Sequence, residues 1–163
     1  MRKWLSSGLI WLILSLVVIA VDRYSKVWMV EHLQLGDPVS LLPILNLTLA
    51  YNTGAAFSFL HDASGWQHYL LGGLALAVTL FIIGCLARLP RRNYWENTAL
   101  SLILAGALGN MWDRISYGHV IDFINFHWNE WHFAIFNVAD SAICVGAFML
   151  IVMWVWPAKL HGK

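Results

Sequence analysis

The chain has 163 residues, 60% of them hydrophobic and 12% charged, with ten tryptophans and a mean hydropathy of +0.64. A water-soluble domain of this length has no use for so much apolar surface, so the composition points to a lipid bilayer. A net charge of +1 without a basic cluster gives no electrostatic reason to propose nucleic acid, and partners are sought among lipids and lipid-attached molecules.

The first apolar stretch, Trp4 to Val21, follows Arg2 and Lys3 and ends on a Val18-Ile19-Ala20 that faintly imitates a cleavage site. It is too long for a secretory signal, and Asp22, Arg23 and Lys26 continue its helical pattern, which predicts a retained helix over 4–30. From Pro38 to Phe59 the period changes: Leu45, Leu47, Leu49 and Tyr51 alternate with Asn46, Thr48, Ala50 and Asn52, a strand pattern, and Asn52-Thr53-Gly54 supplies a turn. An open sheet cannot face hydrocarbon, so this sheet is expected on the membrane surface. Tyr69 to Ala87 predicts a second helix over 67–88, and Asn97 to Trp112, short and rich in small residues, a third over 95–113. Asp113 to Asn137 mixes aromatic and polar residues and reads as an interfacial loop, before Val138 to Trp156 predicts a fourth helix over 137–157.

The fold class expected is therefore an integral membrane α-helical protein, one domain over 1–163, with four transmembrane helices and a small extracytoplasmic β-sheet. Seven of the ten lysines and arginines fall before the first helix, between the second and third, or after the fourth. The positive-inside rule puts those segments and both termini in the cytoplasm, and nine tryptophans fall into two interfacial belts. Cys85 and Cys144 lie at opposite depths, which disfavours a disulfide, and both read as buried small apolar residues.

Four of the six aspartates, Asp22, Asp113, Asp122 and Asp140, stand at or just beyond helix ends on the outer side. Ionisable groups at the edge of hydrocarbon are costly and usually mark a working site. Asp122 interrupts the apolar run Val120 to Phe126, so partial desolvation should raise its pKa into a range useful for acid chemistry. Asp140 follows Asn137 by three residues, a spacing that suits a helix cap and a catalytic acid equally. Two carboxylates brought close do not both ionise easily: one keeps a proton while the other accepts one from water, enough to hydrolyse a peptide bond without metal or cofactor. Asn110, Asp113 and Arg114 share a helix face, where Arg114 could pair with a carboxylate or a peptide carbonyl, or the charges could simply meet water. Asp22 and Lys26 are an i, i+4 pair that fits a weak salt bridge as well as a site role. No His-Glu-x-x-His, Gly-x-Ser-x-Gly or Cys-x-x-Cys motif is present to suggest a metal or a serine nucleophile. A proton-coupled carrier would favour charge near the midplane and paired halves, whereas these acids gather at one rim.

The blocks Asp22-Arg23-Tyr24-Ser25-Lys26, Asn52-Thr53-Gly54-Ala55-Ala56-Phe57, Gly106-Ala107-Leu108-Gly109-Asn110 with Asp113-Arg114, Val120-Ile121-Asp122-Phe123 and Phe136-Asn137-Val138-Ala139-Asp140-Ser141 resemble those of the bacterial lipoprotein signal peptidases, signal peptidase II. The resemblance spans nearly the whole chain in order. It implies an aspartic endopeptidase of the bacterial cytoplasmic membrane that cuts diacylglyceryl-modified prolipoproteins before the lipidated cysteine, without cofactor or metal. It implies Asp122 and Asp140 as the catalytic pair, with Asn52, Gly54, Asn110, Arg114, Val120 and Asn137 lining the cleft for substrate and for the cyclic-peptide inhibitor globomycin. Asp22, Lys26 and Asp113 are implied as supporting groups. Ala105 stands where relatives often carry a further glycine. Gly54 would let segment 38–60 move over a bound peptide, or would serve only the backbone angles of its turn.

Overall fold

The computed structural model describes residues 6–54 and 66–156. The part of the expected lid at 55–60, and the ends of the expected first and fourth helices, lie outside the described residues. A 3-10 turn over Gly8–Trp11 leads into α1 (Leu12–His32), followed by β1 (Pro38–Leu42), β2 (Leu45–Asn52), α2 (Trp66–Arg88), α3 (Tyr94–Tyr117), β3 (Val120–Trp128), β4 (Trp131–His132) and α4 (Val138–Val155).

The helices are apolar outward. Leu16, Leu80, Phe81 and Phe148 are each more than 60% exposed, an arrangement that water would penalise and lipid tails accept. α1 with its preceding turn, most of α2, and α4 are long and apolar enough to cross a membrane. The structure thus describes a helical membrane protein with three candidate spans and a small antiparallel sheet.

α3 is the inner helix, packed against α1, α2 and α4. Its buried residues include Asn97, Ser101, Asn110 and Asp113. A helix surrounded by protein can turn polar groups inward, which lowers its hydropathy without exposing them to lipid. Toward α2, Leu100 and Leu104 join Ile82 and Leu86 in the apolar core. α3 runs past residue 113 to Tyr117, where Gly118 closes it in the left-handed conformation at φ 74° and its N–H bonds to Arg114 O.

Small residues set the α3–α4 distance. A Cβ on Gly106 would collide with the Ala139 carbonyl oxygen and lie 2.6 Å from Ile143 Cγ1, while one on Gly146 would lie 2.6 Å from Ala99 O. Gly106→Ala is therefore expected to destabilise the protein by about 1–3 kcal/mol, the usual range for overpacking. That outweighs the ~1 kcal/mol of helix propensity gained, and thermal unfolding in detergent gives the sign. An unchanged or raised midpoint would contradict the close approach.

Gly8 N donates to Leu89 O, Arg91 N to Ser6 O and the Trp11 indole to Arg91 O, so Ser6 to Trp11 lie beside the α2–α3 connection at one end of the bundle. The sheet and the four aspartates occupy the other end. The sheet order is β1-β2-β3-β4, all antiparallel, with Ala50 opposite Asp122, Tyr51 opposite Ile121 and Asn52 opposite Val120.

Three expectations are corrected. Segment 113–137 is not a loop: it holds β3, the strand bearing Asp122. Four of β3's first five residues are apolar and its first four are buried, so the polar-apolar alternation that marks a half-exposed strand is missing. Asp113 and the Asp22–Lys26 pair do not meet water, because all three are fully buried by the sheet and neighbouring helices. Cys144 is exposed on the outward face of α4, where lipid rather than protein would cover it, and both cysteines are free.

Candidate active site

Asp122 enters the site from β3, on the sheet face it shares with Val120 and, across the ladder, with Asn52. Its Oδ2 accepts from Asn52 Nδ2 at 3.2 Å and its Oδ1 from Asn137 Nδ2 at 2.7 Å. Asp140 comes from the first turn of α4. Its Oδ1 accepts from Asn110 Nδ2 at 2.7 Å and its Oδ2 from the Asn137 backbone N–H at 3.2 Å.

The two carboxyls are tied together through Asn137. Its side-chain oxygen accepts from Asp140 N at 2.9 Å, completing a reciprocal capping box at the start of α4, and its amide nitrogen reaches Asp122, Asn110 Oδ1 and Ile121 O. Cap and site, alternatives on sequence spacing, are one arrangement here. Chain direction makes this possible: Phe136 pairs with Ile124, and Phe123 N and Ile124 N both donate to Phe136 O, so the segment entering α4 runs beside β3.

The surroundings of Asp122 favour a held proton. It is 2% exposed, and burial pushes its carboxyl up to about 7, with the Asp140 charge adding to the effect. The amides of Asn52 and Asn137 and the charge of Lys26 act in the opposite sense. Val120, 2% exposed, walls the same sheet face with an apolar side chain.

Arg114 and Gly54 meet at the margin. Gly54 N donates to Asn52 Oδ1 at 3.0 Å, closing the Asn52-Thr53-Gly54 turn, and Arg114 Nη2 donates to Gly54 O at 3.0 Å. The guanidinium thereby fixes the turn that presents Asn52 to Asp122. Beneath lies a second charged cluster: Lys26 Nζ is 2.9 Å from Asp22 Oδ2 and 2.8 Å from Asp113 Oδ2, and Arg23 Nη2 is 2.5 Å from Asp113 Oδ1. Asp22 Oδ1 accepts from Ala139 N at 3.0 Å, and Asp113 Oδ2 from Ile121 N at 3.3 Å. The cluster thus holds the backbone beside each carboxyl of the site.

The signal peptidase II family model matches residues 14–156, a span that contains every residue of this network. The chain belongs to the signal peptidase II family. It is 53% identical to the lipoprotein signal peptidase of Coxiella burnetii (strain Dugway 5J108-111) over 142 residues, 87% of each chain. To the lipoprotein signal peptidase of Hydrogenovibrio crunogenus (strain DSM 25203 / XCL-2) it is 45% identical over its full 163 residues and 95% of the relative. Among solved structures it resembles a bacterial membrane enzyme with a TM-score of 0.81 and 26% identity, over 94% of this chain and 92% of that one.

Within this signal peptidase II chain, Asp122, Asp140, Asn52, Gly54, Asn110, Arg114 and Asn137 are joined by hydrogen bonds, and Val120 stands beside them on β3. Asp22, Lys26 and Asp113 form the adjoining layer, linked to the first by the bond from Lys26 Nζ to Asn110 Oδ1 at 3.1 Å. Sequence reasoning missed Arg23 as a participant. Only the burial of Asp22 and Asp113, which the structure shows, calls for a second cation, and Arg23 supplies it. The backbone groups of Ile121 and Ala139 were also missed, and nothing in their side chains announces them.

Proposed function

We propose that this signal peptidase II is an aspartic endopeptidase that removes the signal peptide from diacylglyceryl-modified prolipoproteins, hydrolysing the bond before the lipidated cysteine with Asp122 and Asp140 as a water-activating dyad. The observation that carries the proposal is the pair of carboxyls coupled through one residue, Asn137, whose side-chain amide bonds Asp122 and whose backbone N–H bonds Asp140, with burial raising Asp122 to about 7. The pair shares one proton between them. The ionised carboxyl takes a proton from water as its oxygen attacks the scissile carbonyl carbon, and the protonated one gives its proton to the carbonyl oxygen. The tetrahedral diol collapses by breaking the C–N bond: the leaving amine takes a proton from one carboxyl while the other takes one back from a diol hydroxyl, leaving a carboxylic acid and restoring the shared proton. Asn52, Asn110 and Asn137 hold the carboxyls, while Val120 keeps the sheet face dry.

The setting proposed is the bacterial inner membrane, as a single domain crossed by four helices. α3 would be the fourth crossing, its polar residues shielded by α1, α2 and α4. The end bearing the N-terminus and Arg91 would face the cytoplasm, by the positive-inside rule. The dyad would then lie near the outer face, where a substrate whose signal helix and acyl chains already sit in the bilayer arrives sideways. Globomycin, a cyclic peptide, would occupy the same cleft.

The test is cleavage of a diacylated prolipoprotein by the purified protein in lipid or detergent. The expected result is a product beginning at the lipidated cysteine, formed without added metal and blocked by globomycin. A folded protein that leaves the diacylated substrate intact would overturn the proposal.

A further inference from the structure

Lys26 is closed off from bulk solvent. Its side chain is fully buried, and three acceptors close on it: Asp22 Oδ2, Asp113 Oδ2 and Asn110 Oδ1. An ammonium has three N–H donors, so the set is complete. Two of the three acceptors balance charge, because Asp22 and Asp113 stand against Lys26 and Arg23. The third does something else.

Asn110 Oδ1 accepts from Lys26 Nζ and from Asn137 Nδ2, each at 3.1 Å. With two donors aimed at its oxygen, the amide has one acceptable orientation, and its nitrogen is sent to Asp140 Oδ1 at 2.7 Å. The flipped amide would set a nitrogen against two donors and an oxygen against a carboxyl. Asn137 alone is a weaker lock, since its amide nitrogen is also engaged by Asp122 and Ile121 O.

We propose that Lys26 is a positioning residue for the dyad: its ammonium fixes the Asn110 amide with nitrogen toward Asp140 and brings a buried positive charge to the inner side of the site. The inference rests on the reading of Asp122 and Asp140 as the reacting pair. Among the described residues, the charged groups around that pair are Arg114 and Asp113 from α3, and Asp22, Arg23 and Lys26 from α1. Lys26 is among the charges that act on Asp122 across the site.

Removing Lys26 alone would leave two buried acids with one guanidinium and risks the fold. The informative variant is Lys26→Met/Asp22→Asn, compared with Asp22→Asn as control. Asparagine at position 22 keeps an oxygen for Ala139 N, and the Arg23–Asp113 pair is untouched. Two readouts are taken in detergent: steady-state cleavage of a diacylated prolipoprotein, and a 13C-aspartate NMR titration of Asp122 that requires no turnover. Relative to the control, kcat is expected to fall about 10- to 100-fold with KM within twofold, as for a reacting group displaced by a fraction of an ångström to one ångström. The Asp122 titration is expected to move up by roughly half a pH unit, less than the effect of a cation in direct contact. A second variant, Lys26→Gln/Asp22→Asn, retains a donor for Asn110 and should recover part of the lost kcat while the Asp122 titration stays displaced.

A double variant with the control's kcat overturns the inference. So does a loss of activity that only follows the folded fraction, with the Asp122 titration unmoved. If the wild type fails to cut the substrate, the peptidase reading falls separately. The titration then decides this inference alone: displacement upholds the coupling of Lys26 to the pair, and an unmoved curve overturns it.

Discussion

Asp122→Asn and Asp140→Asn are each expected to lower cleavage of a diacylated prolipoprotein by at least about 10³-fold, within the reach of positioned acid–base groups. The double variant should be scarcely worse than either single one, because groups that act as a unit do not contribute additively. The substitutions suit the test because the local scaffold tolerates them. An asparagine at 140 still offers an oxygen to the Asn137 N–H and preserves the capping box, though its own nitrogen then faces Asn110 Nδ2. An asparagine at 122 still accepts from Asn137. Neither can exchange a proton with water or with a carbonyl oxygen. Initial rates should therefore collapse for both variants, while at pH 8 the thermal midpoint of Asp122→Asn in detergent stays close to, or above, that of the wild type. Residual activity within tenfold of the wild type for either variant would remove that carboxyl from the chemistry.

The second large effect concerns stability and has an opposite sign at the two ends of the pH range. Asp122 is raised by burial from its ordinary value of 3.8 to about 7. Ionising it in the folded protein is therefore harder than in the unfolded chain, and the folded state loses stability as pH rises between those two values. Roughly three units at ~1.4 kcal/mol each give about 4 kcal/mol of penalty, fully present above pH 7 and absent below about pH 4. Asp122→Asn removes that penalty. It also sets an amide N–H against Asn52 Nδ2, whose partner oxygen is committed to Gly54 N, at about 1–3 kcal/mol. The variant should therefore be more stable than the wild type by about 1–3 kcal/mol at pH 8 and less stable at pH 4, with the curves crossing between. Thermal midpoints of both proteins in detergent over that range measure it. A difference independent of pH would mean that Asp122 titrates as an ordinary exposed carboxylate. The same proton links the two predictions: cleavage should decline as pH rises past about 7 and the pair loses it.

The helices were legible because lipid demands long apolar runs, and β2 because one of its faces is polar, giving the alternation of Leu45, Leu47, Leu49 and Tyr51. β3 was not legible for the converse reason. Val120, Ile121, Asp122 and Phe123 are all buried, and a strand covered on both faces carries no period to read. The site residues could be listed from their chemistry and from family resemblance, since carboxylates and amides at a membrane rim are conspicuous. Their depth could not. Asp22 and Lys26 have the spacing of a surface pair, and only the packing of α1 against α3 and the start of α4 turns them into a buried ion cluster. Nor could the sequence foresee that the Asn137 cap and the Asp140 carboxyl would belong to one motif and one site, because spacing supports each role separately.

The pairing of β3 restricts how a polypeptide can present itself for cutting. One side of the strand is occupied by β2 along most of its length. On the other, Ile121 N bonds to Asp113, Ile121 O to Asn137, and Phe123 and Ile124 to Phe136. Many proteases seize an extended peptide by adding it to a sheet as one more strand, so that main-chain bonds measure out the register. Here the strand that carries Asp122 has no vacant border at that point. Under the proposed function, a peptide reaching Asp122 would instead lie across the sheet's face, held by side chains and by its own anchorage in the bilayer, rather than extend the sheet beside β3.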